Sequence, residues 1–278
     1  MKALYDKVAL KTSKLTTKAY STSFSLGIKV LHRRFRDPIY AIYGFVRYAD
    51  EIVDTFHDYD KAKLLQRFRE DTYGAIDEGI SLNPMLHAFQ LAVNRYNIDK
   101  ELIETFLQSM EMDLNKTQYD RGNYKRYILG SAEVVGLMCL RVFMEGDDAQ
   151  YQKLKPYAMS LGSAFQKINF LRDLHNDVND LGRTYFPELD GGRFNMETKR
   201  RIEGDIEKDF QHGFEGIKLL PRSVRLGVWL AYVYFYALFN KIRRTQPEVI
   251  MEQRVRIPNH QKYRLLLTTY IRHNFNIL

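Results

Sequence analysis

The 278-residue chain contains a single cysteine, Cys139. No intrachain disulfide and no cysteine-based zinc site can form, and a reducing, cytoplasmic compartment is expected. Prolines number 7 and glycines 16, so breakers are few and long helices are favoured. Long apolar runs are missing as well: the most apolar stretch, Leu226–Phe239, is about 14 residues, too short to span a bilayer. No apolar run follows the lysine near Met1, so no secretory signal is expected. The seven histidines show no HExxH spacing. Neither a Gly-x-Ser-x-Gly elbow nor a phosphate-loop signature occurs, which leaves acyl and nucleotide chemistry without support. Alternating strand-like segments, repeats and linkers are absent, so one all-α domain over residues 1–278 is the economical reading.

Hydrophobic residues make up 45% of the chain and charged residues 27%, the balance of an ordinary soluble domain. A net charge of +8 admits an anionic partner, whether nucleic acid, an acidic membrane surface or a phosphorylated small molecule, or simply a solvated basic surface. Helical spacing predicts helices over residues 2–20, 39–56, 61–80, 85–96, 100–118, 124–145, 149–180, 197–218, 222–246 and 259–275. Pro38 is read as a helix-start residue. Ser21-Thr-Ser-Phe24, Asn83-Pro84, Arg121–Asn123, Gly146–Asp148 and Asp190–Arg193 read as breaks or loops. Small residues at Gly130, Ser131, Ala132 and Gly136 would let helices approach closely. The hydroxyls of Ser21 and Ser23 can cap a helix or donate to a phosphate.

Two stretches carry chemistry. In Tyr43–Asp54, YGFVRYADEIVD, the side chains Tyr43, Arg47, Asp50 and Asp54 share one helical face. Asp50 and Asp54 stand one turn apart, where like charges repel unless a cation sits between them. A salt-bridged surface face, with Arg47 neutralising the acids, is the bland alternative. In Gln166–Pro187, QKINFLRDLHNDVNDLGRTYFP, the residues Gln166, Asn169, Asp173 and Asp177 fall within roughly 80° of one another at about 100° per residue. Ile168, Phe170, Leu171 and Leu174 supply the packing face between them. Two such helices facing each other would hold hard divalent cations through oxygen ligands. Mg2+ takes one or two carboxylates and fills its shell with water and phosphate, and neighbouring arginines would hold the rest of a diphosphate.

These two stretches resemble the aspartate-rich motifs of the squalene/phytoene synthase family. The second is the more specific, with Gln, Asn, Leu-Arg-Asp, Asp and Gly-Arg-x-Tyr-x-Pro in register. Ser21-Thr-Ser-Phe24, Met110-Glu-Met-Asp113, Tyr127 with Val135-Gly136, and Arg254-Val255 agree with further segments, so the likeness spans nearly the whole chain. The resemblance implies a single-domain helical bundle of the isoprenoid-synthase type with a central cavity, and a prenyltransferase that joins two prenyl diphosphates head-to-head. It implies Asp50, Asp54, Asp173 and Asp177 as ligands of Mg2+, with Mn2+ an acceptable substitute. It implies Ser21, Ser23, Arg47, Arg172 and Arg254 on diphosphate, and Tyr127, Gln166, Asn169 and Tyr185 lining the site. Geranylgeranyl diphosphate giving phytoene, on the carotenoid route, is the expected chemistry. Farnesyl diphosphate giving squalene or dehydrosqualene is the alternative, with NADPH required only for squalene.

Two positions depart from the pattern. Asn176 stands where an acid is often found, and Glu133 where a glycine is common. His175 is expected to be solvated or packed rather than a ligand, and no tyrosine of Tyr232–Tyr236 is assigned. A nucleic-acid-binding helical protein, or a scaffold without activity, remains the rival reading. Four converging aspartates serve neither, so no nucleic-acid partner is expected. Oily products and a basic surface lead to an expectation of peripheral membrane contact.

Overall fold

The computed structural model of the chain describes residues 1–115, 119–180, 182–189 and 194–275. Every extended regular element among them is a helix, and β-strand is absent among the described residues. In chain order they are α1 (Lys2–Tyr20), α2 (Thr22–Val30), α3 (Arg33–Asp54), α4 (Lys61–Glu78), α5 (Pro84–Tyr96), α6 (Lys100–Asn115), α7 (Arg121–Ile128), α8 (Val134–Met144), α9 (Asp148–Asn179), α10 (Met196–Leu219), α11 (Arg222–Arg244), α12 (Pro247–Glu252) and α13 (Asn259–Asn274). A π-helical turn, Leu129–Glu133, joins α7 to α8 without a break. Of the predicted features, the end of the 100–118 helix (Lys116–Gln118), Leu181 within the second aspartate stretch and the Asp190–Arg193 loop lie outside the described residues.

Local chemistry explains where most helices start. Side-chain oxygens accept first-turn N–H groups, which have no partner inside the helix: Asp60 from Lys63 at 3.0 Å, Asn83 from Met85 at 3.0 Å, Asp147 from Gln150 at 2.9 Å and Asn195 from Thr198 at 2.9 Å. Asp120 does the same for Asn123 at 2.8 Å, so Arg121–Asn123 is the first turn of α7 and not a loop. Likewise Ser21 accepts from Phe24 at 3.2 Å and opens α2, the capping use its hydroxyl allows, at the break after α1. Pro38 does not begin a helix either. It sits inside α3, which starts five residues earlier at Arg33. Fully buried Phe35 anchors that first turn, and packing outweighs the hydrogen bond that proline removes.

Two large apolar clusters hold the bundle, beside a small alanine contact of α1 with α3 and α5. One joins α2–α6 and α8 around Phe35, Phe45, Phe89 and Phe106, all fully buried, with Phe45 and Phe89 stacked at 3.9 Å between ring centroids. Each such side chain stabilises the fold by about 1.5–3 kcal/mol. The other joins α9–α12 around Ile168, Leu171, Phe210, Phe239 and Ile242. Between them α6, the π turn and α9 approach very closely. A Cβ on Gly130 would lie 2.5 Å from the Ser109 Cβ, and one on Gly162 would lie 2.8 Å from the Ala132 carbonyl oxygen. A second strongly apolar segment lies in the continuous rod Arg121–Met144. It is the one helix among the described residues long and apolar enough to cross a membrane by length and composition. Its apolar window has a mean hydropathy of 1.6 and is more than half buried inside the bundle, as a core helix is.

Candidate active site

A cavity of about 560 Å3 runs between the two clusters, within the range of ligand sites. Its lining follows α3 from Ile39 to Asp54 and α9 from Leu154 to Asp177. At 1.5 Å per residue the α9 wall alone is roughly 35 Å long. One end is apolar, with Leu31, Ile39, Leu140, Phe143 and Leu154. The other carries Asp50, Asp54, Asp173 and Asp177 together with Arg47, Arg172 and Arg254. The i, i+4 repeat puts each aspartate pair on the cavity face of its helix, while Phe45, Ala49 and Val53 of α3 and Ile168, Leu171 and Leu174 of α9 face the cores.

The four carboxylates feel one another across the cavity. Burial pushes Asp50 up to about 8, and Asp54 adds to the shift while Arg47 opposes it. Burial likewise pushes Asp177 up to about 8, reinforced by Asp173 on its own helix and by Asp54 on α3, against Arg183. Arg47 stands 3.7 Å from Asp50, is hydrogen-bonded to Glu51 and lies 4.3 Å above the Tyr20 ring. Arg172 and Arg254 converge on Asp173, the latter at 2.6 Å. Among the described residues no three carboxylate, imidazole or thiol groups enclose a metal-sized space. A cation here would therefore take one or two carboxylates and complete its shell with water and ligand oxygens, which is how Mg2+ is usually held. The donor set fits that ion. Asn169, one turn before Asp173, adds a buried Oδ1 without a hydrogen-bond partner among the described residues, an acceptor suited to a metal-bound water.

Behind Asp54 lies a network centred on Arg183 and Asp113. Arg183, 8% exposed, donates to Asp54 Oδ1 at 2.7 Å and to the carbonyl oxygens of Asp113 at 3.1 Å and Val53 at 3.4 Å. The Asp113 carboxylate accepts from the hydroxyls of Tyr127 at 2.6 Å, Tyr119 at 2.8 Å and Tyr185 at 3.2 Å. Burial raises Asp113 to about 6, although Arg183 and the Tyr127 bond pull the other way. The Tyr127 and Tyr185 phenols, also buried, are held well above the ordinary tyrosine range and remain protonated. The Tyr185 ring stacks on Phe170 at 4.3 Å. Together these rings form an aromatic wall whose polar atoms are tied back to Asp113.

Of the residues predicted for the site, Asp50, Asp54, Asp173, Asp177, Tyr127, Ser21, Arg47, Gln166, Asn169, Arg172, Tyr185 and Arg254 all line this one cavity. Ser23 does not: it falls on the far side of the first turn of α2, while Ser21 both caps that helix and faces the cavity. Asn176 is exposed and donates to Asp180 at 2.9 Å, so the missing acid is absent from a position outside the lining. Glu133 also faces away, toward Lys167 and Asp209. Burial raises it to about 7, Asp209 adds to the shift and Lys167 opposes it. His175 packs with its Nδ1 2.8 Å from the Met251 carbonyl oxygen, a structural role. Tyr232 and Tyr236 turn toward Phe210 on α10. Asp113 and Arg183 were missed as site residues. The signal for Asp113 was an acid continuing the buried stripe Phe106–Met110 at i, i+4, i+7.

Comparison with known proteins finds relatives in sequence and in fold. A phytoene synthase from Arthrospira platensis is 26% identical over 92% of this chain and 90% of its own length. A chloroplastic phytoene synthase from Solanum lycopersicum is 24% identical over 80% of the chain, which spans 58% of that protein. A presqualene diphosphate synthase from Rhodopseudomonas palustris is 28% identical over 61% of the chain and 59% of its own length. Among solved structures, a dehydrosqualene synthase superposes with a TM-score of 0.81 over 96% of both chains at 19% identity. A squalene synthase from Alicyclobacillus acidocaldarius gives 0.75 over 87% of this chain and 95% of its own, at 21% identity. At those identities the structural likeness is one of fold. The squalene/phytoene synthase family model matches residues 17–261, a span that takes in both aspartate helices, the aromatic wall and Arg254. By that match the chain belongs to the squalene/phytoene synthase family, whose members are prenyltransferases acting on prenyl diphosphates.

Proposed function

We propose that this protein condenses two molecules of geranylgeranyl diphosphate head-to-head into phytoene. The observation that carries the reaction class is the convergence of Asp50 and Asp54 with Asp173 and Asp177, where burial, reinforced by the neighbouring carboxylates, raises Asp50 and Asp177 to about 8. A site that gathers negative charge at this cost is built to receive positive charge. Asp50, Asp54, Asp173 and Asp177 would hold Mg2+, which when bound supplies Lewis-acid neutralisation of a leaving diphosphate. Arg47, Arg172 and Arg254 bind diphosphate oxygens, exchanging their carboxylate partners for phosphate. Gln166 and Asn169 orient water or phosphate oxygen beside them.

In the first half-reaction the allylic C–O bond of one substrate breaks and its electron pair leaves with the diphosphate. The resulting cation is attacked by the double bond of the second substrate, and loss of a proton closes a cyclopropane ring. That cyclopropyl diphosphate then ionises in turn and rearranges, and loss of a second proton gives the hydrocarbon. The protein must keep water from both cations. Phe165, Phe170, Tyr127 and Tyr185 line the cavity, and their ring faces favour a cation. With their hydroxyls tied to Asp113, Tyr127 and Tyr185 stay protonated and cannot capture the cation as phenolates.

The choice of the longer substrate is supported by the phytoene synthase relative that matches nearly the whole chain. The dehydrosqualene synthase fold match supports the second reading, farnesyl diphosphate to a C30 product. Purified protein is incubated with each diphosphate and Mg2+, with and without NADPH, and the hydrocarbons are separated by chain length. Phytoene formed without NADPH is the expected product. Turnover of farnesyl diphosphate alone would overturn the substrate assignment, and turnover of neither would overturn the reaction.

A further inference from the structure

Helix α13 has two apolar faces, and the bundle covers only one of them. Thr269 is 2% exposed and Leu265 and Leu266 are half-buried against the body of the protein, where α13 packs on α11. On the opposite side Tyr263, Leu267, Tyr270 and Ile271 are 55, 59, 49 and 47% exposed. At about 100° per residue these four side chains fall within roughly 100° of one another, a continuous stripe pointing away from α11. Arg264 borders the stripe on one side. Arg272 lies further round on that same side, 5.5 Å from the Trp229 ring, and on the other side Lys262 reaches back over the Tyr234 ring at 5.5 Å. Asn259–Asn274 contains no acidic residue at all.

We infer that α13 is a docking surface for an anionic lipid bilayer, lying flat with Tyr263, Leu267, Tyr270 and Ile271 in the headgroup–acyl boundary. The composition selects that occupant. An apolar stripe bordered by cations is the pattern of an interfacial helix. Tyrosines with an apolar body and a polar tip suit the boundary itself. Basic side chains beside it are drawn to anionic headgroups. A second copy of the chain fits poorly: a two-fold contact through this face would set Arg264 and Lys262 against their own equivalents with no acid on the helix to offset them. The inference concerns a surface outside the cavity lining and holds whichever prenyl diphosphate is used.

The test is co-sedimentation of the full chain with vesicles of phosphatidylcholine alone and with about 30% phosphatidylglycerol. Binding to the anionic vesicles only is expected. The Leu267→Glu/Ile271→Glu double variant should weaken it at least tenfold, and Arg264→Gln about fivefold. Arg264→Gln leaves the apolar faces intact, so it reads charge even if the double variant alters folding. Circular dichroism and melting of both variants accompany the measurement. Leu4→Ser/Leu15→Ser on α1, whose exposed leucines lie beside a lysine row, should bind as wild type. Any of three results overturns the inference: no binding to anionic vesicles, binding lost through the α1 variant and kept by the α13 variants, or a dimer in light scattering that the α13 double variant dissolves.

Discussion

Replacing Arg183 with methionine keeps an unbranched side chain of similar reach and removes the guanidinium that joins Asp54, Asp113 and the Val53 carbonyl. Breaking a buried ion pair by deleting one partner costs about 3–5 kcal/mol. The Asp54 side chain is 43% exposed and its share is small, whereas that of Asp113 is 3% exposed. The lower figure, about 3 kcal/mol, is therefore expected, or roughly 6 °C in melting midpoint for a chain of this size. The loss should depend on pH in a definite sense. Asp113 sits at about 6, above its ordinary 3.8, and Arg183 is one of the groups that hold it down. A carboxylate with a raised folded value binds more protons folded than unfolded, so stability falls as pH rises between the two values. Without Arg183 the folded value climbs further and the falling window extends upward; Asp177 shifts in the same direction. The gap between wild type and Arg183→Met is accordingly small near pH 5, where Asp113 is protonated in both, and full near pH 8. Urea unfolding at the two pH values measures it. Arg183→Lys keeps the charge and loses the fork, so its smaller deficit of about 1 kcal/mol should be nearly independent of pH. A gap for Arg183→Met that is equal at pH 5 and pH 8, or larger at pH 5, would refute the electrostatic account of the network.

Asp50→Asn and Asp173→Asn should each bring turnover below about 1% of wild type with unchanged circular dichroism; an active double mutant would remove the metal assignment. Mg2+ together with a non-hydrolysable diphosphate should raise the melting midpoint, chelation should reverse the rise, and Asp50→Asn should abolish it. An unchanged midpoint in wild type would count against the cation site. Gly130→Ala tests the close approach of α6 to the π turn. Relief of helical glycine would stabilise by up to about 1 kcal/mol, but the new Cβ meets the Thr105 carbonyl oxygen at 2.7 Å. Backbone cannot swing aside, so a net loss of about 1–3 kcal/mol by thermal melting is expected; a stabilised variant would contradict the packing described.

The aspartate helices were legible in the sequence because function and packing there share one period. Asp50, Asp54, Asp173 and Asp177 repeat at helical spacing, and so do the apolar residues that fix which way they face. Arg183 and Asp113 stand in segments the sequence singles out, and the buried stripe of α6 hints at Asp113, but their pairing was not legible because 70 positions separate them along the chain. Pro38 misled for a related reason, since the burial of Phe35 that extends α3 backwards is a tertiary fact. Asn176 and Glu133 show the reverse error. Both depart from the family pattern, yet neither lines the cavity. The aromatic content was evident from composition, but only the fold separates Tyr127 and Tyr185 on the cavity wall from Tyr232 and Tyr236 against Phe210.

The π-helical turn at Leu129–Glu133 acts as a phase shift within one rod. The cavity-facing positions of the rod are Tyr127, Ser131, Ala132, Val135, Gly136, Cys139, Leu140 and Phe143. Counting back one helical turn of four from Ser131 arrives at Tyr127, and from Ala132 at Ile128. The turn between them holds one residue more than an α-helical turn, and of the two it is Tyr127 that reaches the cavity, while Ile128 is packed in the core. Deleting one residue from the turn would leave composition and apolar length almost untouched, yet would rotate α7 by about 100° and exchange a hydroxyl anchored on Asp113 for an aliphatic side chain. In this protein the chemical character of the cavity wall is set by a count of residues as much as by their identity.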